Sequence, residues 1–211
     1  MNEKSELTQL LAQIRACRIC RDAPFLGPPL PHEPRPVVVA SSRSPILIAG
    51  QAPGTRVHAS GMPFTDRSGD RLREWLGVTY QEFYEPDNFA IVPMGFCFPG
   101  QDARGSDLPP RRECAVTWRE RLMELMPQVE LILVIGQYAQ AWHMPEDRKG
   151  SLTETVANWR AVFSRNEKPR VLPLPHPSWR NTAWLKRNPW FSEELLPVLR
   201  AEISMRLIRR S

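Results

Sequence analysis

Four short apolar runs, separated by stretches with helical periodicity, dominate the pattern of the chain. Each run is rich in Ile, Leu and Val, which is typical of strands that are buried on both faces. The runs lie at 46–49, 89–92, 131–135 and 170–174. Buried strands that alternate with helices predict a parallel sheet in an α/β domain.

Between and around these runs, apolar residues recur at the spacing of an amphipathic helix. The pattern predicts helices at 3–16, 68–76, 111–126, 137–143 and 192–207. Ser68 is the expected N-cap of the second of these helices. Ligands of parallel α/β sheets bind at the carboxyl ends of the strands. A site is therefore expected among the loops at 50–54, 93–99 and 175–179.

Composition narrows the class of protein. A chain of 211 residues suits one domain, 1–211, in which 24–36 is a connecting segment with six prolines. The net charge of +5 is a mild basic bias that fits a polyanionic partner. No apolar run approaches the ~18 residues of a membrane span, and the charged N-terminus does not resemble a signal peptide. We therefore expect a cytoplasmic protein, without a membrane partner, that acts as a monomer.

The loop after the first strand is built to approach a ligand closely. Two glycines flank a proline in the sequence Gly50-Gln51-Ala52-Pro53-Gly54, which directly follows the strand. Phe64 ends a Gly-Met-Pro-Phe segment a few residues later, and its ring is suited to stack on a flat ligand. The alternative is an ordinary strand-to-helix turn with a core Phe.

The loop after the fourth strand carries a histidine between two prolines, His176, and a basic segment. An imidazole in this position can donate a hydrogen bond to charge that develops on a leaving group. Ser178, Arg180, Lys186 and Arg187 follow it, interleaved with tryptophans, a composition that suits phosphates and unstacked bases. A structural histidine beside a solvated basic helix is the alternative. His32, His58 and His143 have no comparable setting, and we expect them to be structural.

The chain has four cysteines: Cys17 and Cys20, separated by two residues in a C-x2-C knuckle, then Cys97 and Cys114. Disulfides are not expected in the cytosol. Four thiolates can hold a zinc ion or an iron–sulfur cluster. The spacing does not choose between them, and four buried, unligated cysteines are the remaining possibility.

Taken in order, these motifs resemble those of the uracil-DNA glycosylase superfamily, closest to its iron–sulfur branch. That branch carries a Gly-acidic-Ala-Pro-Gly loop, a Gly-x-Pro-Phe segment, a C-terminal His-Pro-Ser and four cluster cysteines. The matching segments here are 50–54, 61–64 and 176–178, and the four cysteines fit the same frame. The resemblance covers most of the chain, from Cys17 to Ser178.

The resemblance implies a three-layer α/β/α sandwich with a four-stranded parallel sheet. It implies a DNA glycosylase of base excision repair, a hydrolase that flips a damaged, uracil-like base of single- or double-stranded DNA into a pocket. Phe64 would stack on that base, the Gly50–Gly54 loop would contact it, and His176 would stabilise its negative charge. Ser178 and the basic segment would bind DNA. The four cysteines would hold a structural [4Fe–4S] cluster, with zinc as the alternative.

Two positions depart from the family pattern. Gln51 stands where the family usually has a carboxylate, so it can orient a water molecule but offers no charge. Pro93 stands where the family usually has an Asn that reads the base, and its side chain has neither donor nor acceptor. These departures keep open a weak or inactive nucleic-acid- or nucleobase-binding protein on the same fold. A third alternative is an unrelated α/β protein with structural zinc.

Overall fold

A computed structural model describes residues 3–165 and 167–208, with side chains described from Glu6 onward. The N-terminal part comprises α1 (Glu3–Arg15), α2 (Ile19–Asp22), β1 (Ile46–Ala49), α3 (Thr55–Ser60), α4 (Arg67–Leu76), α5 (Tyr80–Tyr84) and β2 (Phe89–Ile91). The C-terminal part comprises α6 (Arg112–Cys114), α7 (Glu120–Glu124), β3 (Leu131–Ile135), α8 (Gln137–His143), α9 (Leu152–Ala157), α10 (Trp159–Phe163), β4 (Arg170–Leu174), α11 (Thr182–Arg187) and α12 (Leu196–Ile208).

The four strands form one parallel sheet with the order β2-β1-β3-β4. β1 pairs with β2 from Ile46 opposite Phe89, and β3 pairs with β4 from Leu131 opposite Arg170. All four predicted strands are confirmed, and only the second ends one residue earlier than predicted. Beyond the outer side of β2, Val39 makes an isolated antiparallel bridge to Ile91.

Alternate strand residues face two separate cores, which makes the architecture a three-layer sandwich. On one face, Ile46, Ile48 and Leu133 pack with apolar side chains of α4, α10 and α12. On the other face, Leu47 and Val134 pack with those of α1, α7 and α8. The predicted α/β/α fold with a four-stranded parallel sheet is therefore confirmed. None of the described helices is long and apolar enough to cross a membrane.

From the sequence, one helix cap was assigned to the wrong residue and several short helices were not predicted. Ser68 is not the N-cap of α4; the carboxylate of Asp66 accepts hydrogen bonds from the backbone N–H groups of Ser68 and Gly69. A carboxylate is a strong cap because it also interacts favourably with the helix dipole. Four short helices, α3, α5, α9 and α10, are not evident from the periodicity because each is only five or six residues long. The Pro-rich segment 24–36 contains neither helix nor strand.

A π-helical turn, Ala115–Arg119, joins α6 to α7 and carries a fully buried arginine. Arg119 Nη1 donates to the carbonyls of Val92 at 3.1 Å and Pro93 at 2.9 Å, where β2 leads into its loop. Its Nη2 lies 2.6 Å from His143 Nε2. Burial lowers the pKa of Arg119 to about 9. Burial and the charge of Arg119 together lower the pKa of His143 to about 3, so this ring is neutral and accepts the hydrogen bond.

The His143 contact predicts a loss of stability in acid. Unfolded His143 takes up a proton near pH 6.5 and folded His143 does not, so stability falls as pH drops below 6.5. Between pH 7 and pH 5 the protein should lose about 1–2 kcal/mol from this residue. His143→Gln keeps an acceptor for Arg119 but cannot titrate, so its free energy of unfolding in urea should fall less over the same interval. His58 and His176, whose pKa values are also lowered, contribute equally to both proteins. Identical pH dependence of the two proteins would contradict this account.

Candidate active site

The carboxyl ends of β1, β2 and β4 open onto a cavity of about 690 Å³. This volume lies within the range of small-molecule binding sites. The predicted site residues that line it are Gly50, Gln51, Ala52, Pro53, Gly54, Phe64, His176, Ser178 and Arg180. The fold therefore brings together the loop after the first strand and the loop after the fourth, as the sheet topology predicts.

Phe64 is held in an uncommon backbone conformation at the side of this cavity. Its φ is +55°, in the left-handed region that residues with a side chain rarely adopt. Its carbonyl oxygen accepts hydrogen bonds from Tyr84 Oη at 2.8 Å and Arg73 Nη1 at 3.3 Å. The first turn of α4 approaches the same oxygen so closely that a Cβ on Gly69 would lie 1.8 Å from it. Gly69 therefore permits the contact that fixes Phe64.

The ring of Phe64 lies against the loop after β1. A Cβ added to Gly50 would lie 3.8 Å from its Cζ atom, which is ordinary van der Waals contact. Behind it, Phe83 makes an edge-on contact with a centroid separation of 6.0 Å. Phe64 thus packs against the hydrophobic core and also lines the cavity. This arrangement provides an aromatic wall for a flat ligand.

His176 is oriented by the loop that follows it. The backbone N–H of Ser178 donates to His176 Nδ1 at 3.2 Å, and Asn181 Nδ2 donates to the His176 carbonyl at 2.7 Å. Burial lowers the pKa of His176, and the carboxylates of Asp66 and Asp107 oppose that effect in part. The ring is therefore neutral at pH 7. Because Nδ1 accepts a hydrogen bond, the single ring proton resides on Nε2, which is a donor.

The loop after β2 is tied to the loop after β1 through the backbone. The N–H groups of Met94 and Gly95 donate to the carbonyls of Gly50 and Gln51, each at 2.9 Å. Pro93 lines the cavity, but its carbonyl already accepts from Arg119. Pro93 therefore has no side-chain donor or acceptor with which to recognise a base as an Asn would, and its carbonyl is already engaged by Arg119.

Gln51 points toward a segment that the sequence analysis did not assign to the site. Its Nε2 lies 3.5 Å from the carbonyl of Leu108, at the long limit of a hydrogen bond. The neighbouring residue, Asp107, also lines the cavity, as does Asp66. No sequence signal places Asp107 there, because its segment is neither helix nor strand and has no hydrophobic periodicity. Asp66 could have been identified as a helix cap, six residues before Leu72, the first apolar position of α4.

The predicted DNA-binding residues lie in two places. Ser178 and Arg180 line the cavity together with Trp179, which is 64% exposed. Lys186 and Arg187 lie further on, at the exposed end of α11, and do not belong to the described lining. Arg71 Nη1 on α4 donates to the Ser178 carbonyl at 2.8 Å, which fixes the start of this segment. An aromatic ring and a cation thus stand at the cavity, with further cations beyond it.

The four cysteine thiols share one neighbourhood away from the cavity lining. Cys20, Cys97 and Cys114 are buried and Cys17 is partly buried. A hydrogen bond with Cys114 lowers the pKa of Cys20 to about 7, and the same bond, together with burial, raises the pKa of Cys114. Burial raises the pKa of Cys97 to about 12, and its thiol also interacts with those of Cys17 and Cys20.

As they are placed, these side chains do not form a site for a single ion. No group of three or more His, Cys, Asp or Glu side chains in 6–165 and 167–208 could hold a metal ion. The thiols nevertheless interact pairwise across the two cysteine pairs, and the backbone N–H of Phe96 donates to Cys114 Sγ at 3.4 Å. An N–H donor to sulfur and soft thiolate ligands suit the surroundings of an iron–sulfur cluster.

Comparison with known protein families agrees with the motifs. The model of the Uracil DNA glycosylase superfamily matches residues 37–200. This range includes all four strands and every loop that lines the cavity. It also includes Cys97 and Cys114, but it begins after Cys17 and Cys20.

The contact between α4 and Phe64 predicts that Gly69 cannot be replaced. Ala is the better helix former by about 1 kcal/mol, so propensity alone favours Gly69→Ala. The clash with the Phe64 carbonyl should outweigh that gain and lower the free energy of unfolding by about 1–3 kcal/mol. Urea unfolding measures the change. Gly150→Ala is the control, because its Cβ would meet no backbone atom but only a side-chain oxygen, that of the Glu154 carboxylate, at 3.2 Å. A Gly69→Ala protein as stable as the unchanged one would show that α4 does not approach Phe64 in this way.

Proposed function

The chain belongs to the uracil-DNA glycosylase superfamily, and we propose that it is a DNA glycosylase that removes a deaminated, uracil-like base in base excision repair. The observation that carries this proposal is the neutral His176, whose Nε2–H donor shares a cavity with Phe64 and the loop Gly50–Gly54. These three provide, in that order, a hydrogen-bond donor, an aromatic wall and a backbone that can approach a ligand closely. They are the elements that recognition of a flipped base requires.

The chemistry follows from what each group offers. When the bond between C1′ and the base nitrogen breaks, its electron pair goes to the base and positive charge develops on the sugar. His176 Nε2–H can donate to an oxygen of the departing base, where negative charge accumulates. Phe64 supports the flat ring while this occurs. Water adds its oxygen to C1′ and keeps one proton as the new hydroxyl, while its other proton passes to the free base, directly or through solvent.

The surface around the cavity supports DNA as the substrate. Trp179 is exposed, and the guanidinium of Arg180 lies 5.9 Å from the centre of its ring. Such aromatic and cationic pairs contact unstacked bases and phosphates. Lys186 and Arg187 extend the positive charge along α11, where they would contact the phosphate backbone.

The choice of base rests on groups other than the residue at position 93. Pro93 presents no side-chain polar atom, so it cannot distinguish uracil from other deaminated bases by hydrogen bonding. We propose that selection comes from cavity shape, from the backbone near Gln51 and from His176. This favours a broader substrate range, including hypoxanthine and xanthine, over strict selection of uracil.

A second candidate function is binding of nucleic acid or nucleobase without efficient catalysis. Gln51 and Pro93 favour it, because they replace the two side chains that the family usually places against the sugar and the base. Both candidates use the same cavity, so measurement of base excision distinguishes them.

We also propose that Cys17, Cys20, Cys97 and Cys114 hold a structural [4Fe–4S] cluster. Support comes from the pairwise thiol interactions, the lowered pKa of Cys20 and the N–H donor to Cys114. The cluster would supply a covalent tie between the segment after α1 and the loop after β2. These thiols lie outside the cavity lining, so the tie stabilises the fold and takes no part in removing the base.

The catalytic proposal predicts a large effect at His176. Under single turnover, oligonucleotides that contain uracil, hypoxanthine or xanthine should lose the base with the unchanged protein. His176→Ala should slow this step by about 10²-fold or more, because the donor to the departing base is gone. DNA affinity, measured by fluorescence anisotropy, should change little.

Two variants sharpen the test at His176. His176→Asn keeps a donor and should retain more activity than His176→Ala. His32→Gln is the control, since His32 contacts the Phe98 carbonyl and lies outside the described cavity lining. Full activity of His176→Ala would reject the mechanism. An unchanged protein that binds DNA but excises none of these bases would favour the second candidate function.

The cluster proposal predicts a brown protein with about four iron atoms per chain when it is purified without oxygen. Cys114→Ser should lose most of the iron and lower the thermal midpoint, because the tie between distant segments is removed. Val116→Ser is the matched control, since Val116 is 65% exposed two residues further along the same helical segment. Zinc without iron in the anaerobic protein would contradict the cluster.

A further inference from the structure

When a glycosidic bond is hydrolysed, negative charge develops on the departing base and positive charge on the sugar. The groups that line the cavity stabilise these two charges unequally. His176 faces the negative charge on the base. The positive charge on the sugar has no counterpart at Gln51, whose amide is neutral. A carboxylate near the sugar would stabilise this charge and would accept a proton from the attacking water. A carboxylate on a neighbouring loop, that of Asp107, also lines the cavity.

That loop spans 100–108, between the third and fourth cysteines, and it is closed by its own hydrogen bonds. The N–H of Leu108 donates to the Gly100 carbonyl at 2.9 Å, and Gln101 and Asp107 form an isolated antiparallel bridge. Within the turn, Asp102 Oδ1 accepts from the N–H groups of Arg104 and Ser106, each at 2.9 Å. The loop therefore has a defined shape.

The Asp107 side chain is aimed by this loop toward the cavity. Its Oδ1 accepts from Gln101 Nε2 at 3.1 Å. Its Oδ2 lies 3.3 Å from the position that a Cβ on Gly54 would occupy. The second carboxylate oxygen thus lies against the last glycine of the loop after β1, and a larger residue at Gly54 would press on it.

Two further contacts connect Asp107 to the predicted catalytic residues. The amide of Gln51 reaches the carbonyl of Leu108, the residue next to Asp107. The charges of Asp66 and, less strongly, of Asp107 both favour the protonated form of the His176 imidazole. Asp66 Oδ1 accepts from three groups at the start of α4, the N–H groups of Ser68 and Gly69 and the Ser68 hydroxyl. Asp107 Oδ1 accepts from Gln101 alone among the described residues, and its loop also meets Gln51, so Asp107 is the less constrained carboxylate beside the loop after β1.

We propose that Asp107 is a catalytic residue, the carboxylate that this chain uses in place of an acid at position 51. This inference rests on the proposed glycosylase function. As the base departs with the electron pair of the C1′–N bond, Asp107 stabilises the positive sugar. It then accepts a proton from the water whose oxygen bonds to C1′, and it releases that proton to solvent. The departed base takes up a proton from solvent, so one water is consumed for each base released.

The first test is single-turnover excision of whichever base the unchanged protein removes. Asp107→Asn keeps the shape and the bond to Gln101 but removes the charge, and it should slow excision by about 10²-fold. Asp102→Asn is the matched control, because it removes one charge from the same loop and keeps the acceptor for Arg104 and Ser106. Its rate should stay within about twofold of the unchanged protein.

A charge-relocation variant tests the role more directly. Gln51→Glu in the Asp107→Asn background restores one carboxylate to the cavity and should recover at least about tenfold of the lost rate. Gln51→Glu alone should bring no gain, because two neighbouring carboxylates repel each other. A double variant no faster than Asp107→Asn would count against a catalytic charge at Asp107.

Binding of abasic-site analogues gives a readout that needs no turnover. DNA with a cationic pyrrolidine in place of the sugar should bind the unchanged protein and Asp102→Asn about tenfold more tightly than DNA with a neutral tetrahydrofuran. Asp107→Asn should lose this preference. Excision by the unchanged protein together with a fully active Asp107→Asn overturns the inference and leaves the proposed function standing. If the unchanged protein excises no base, the proposed function fails, and absence of the cationic preference overturns the inference as well.

Discussion

The arrangement of the site depends on the hydrogen bonds of the buried Arg119 guanidinium. A charged group with no exposure to solvent needs partners for its donors, and those of the two Nη atoms are the carbonyls at the end of β2 and the ring of His143, while the buried Nε has no partner among the described residues. These bonds fix the point at which the chain leaves β2. The following residues then hydrogen-bond to the loop after β1, so the core position of one arginine determines how two cavity loops meet.

A second set of contacts fixes the opposite wall of the cavity. Asp66 caps α4, Gly69 allows that helix to approach Phe64, and Tyr84 holds the Phe64 carbonyl. The backbone of Phe64 remains in a left-handed conformation because all of these groups act on it together. The same helix packs its apolar face on the sheet, so the position of the aromatic wall follows from core packing. Local strain at the site is thus supported by the hydrophobic core.

The parts of the molecule that could be predicted from sequence are those with a repeating pattern. The strands follow from short buried apolar runs, and the location of the cavity follows from the rule for parallel sheets. Arg119 was not predicted because it is charged, and a pattern of apolar residues assigns no core position to a guanidinium, although Arg119 lies three residues before the buried Leu122. Asp107 was not predicted because its position depends on the closure of an irregular loop. Asp66 was missed because Ser68 is an equally common capping residue type.

The two edges of the sheet are protected in different ways. Val39 bridges to Ile91 beyond β2, so the segment before β1 occupies part of that edge. At the other edge, β4 contains Pro173 opposite Val134, and proline has no N–H to offer a further strand. A short parallel sheet of buried, apolar strands is a template for pairing between molecules when its edges are free. In this chain the proline of β4 and the bridge at Val39 oppose such pairing, so the sheet is limited to four strands and aggregation through its edges is disfavoured.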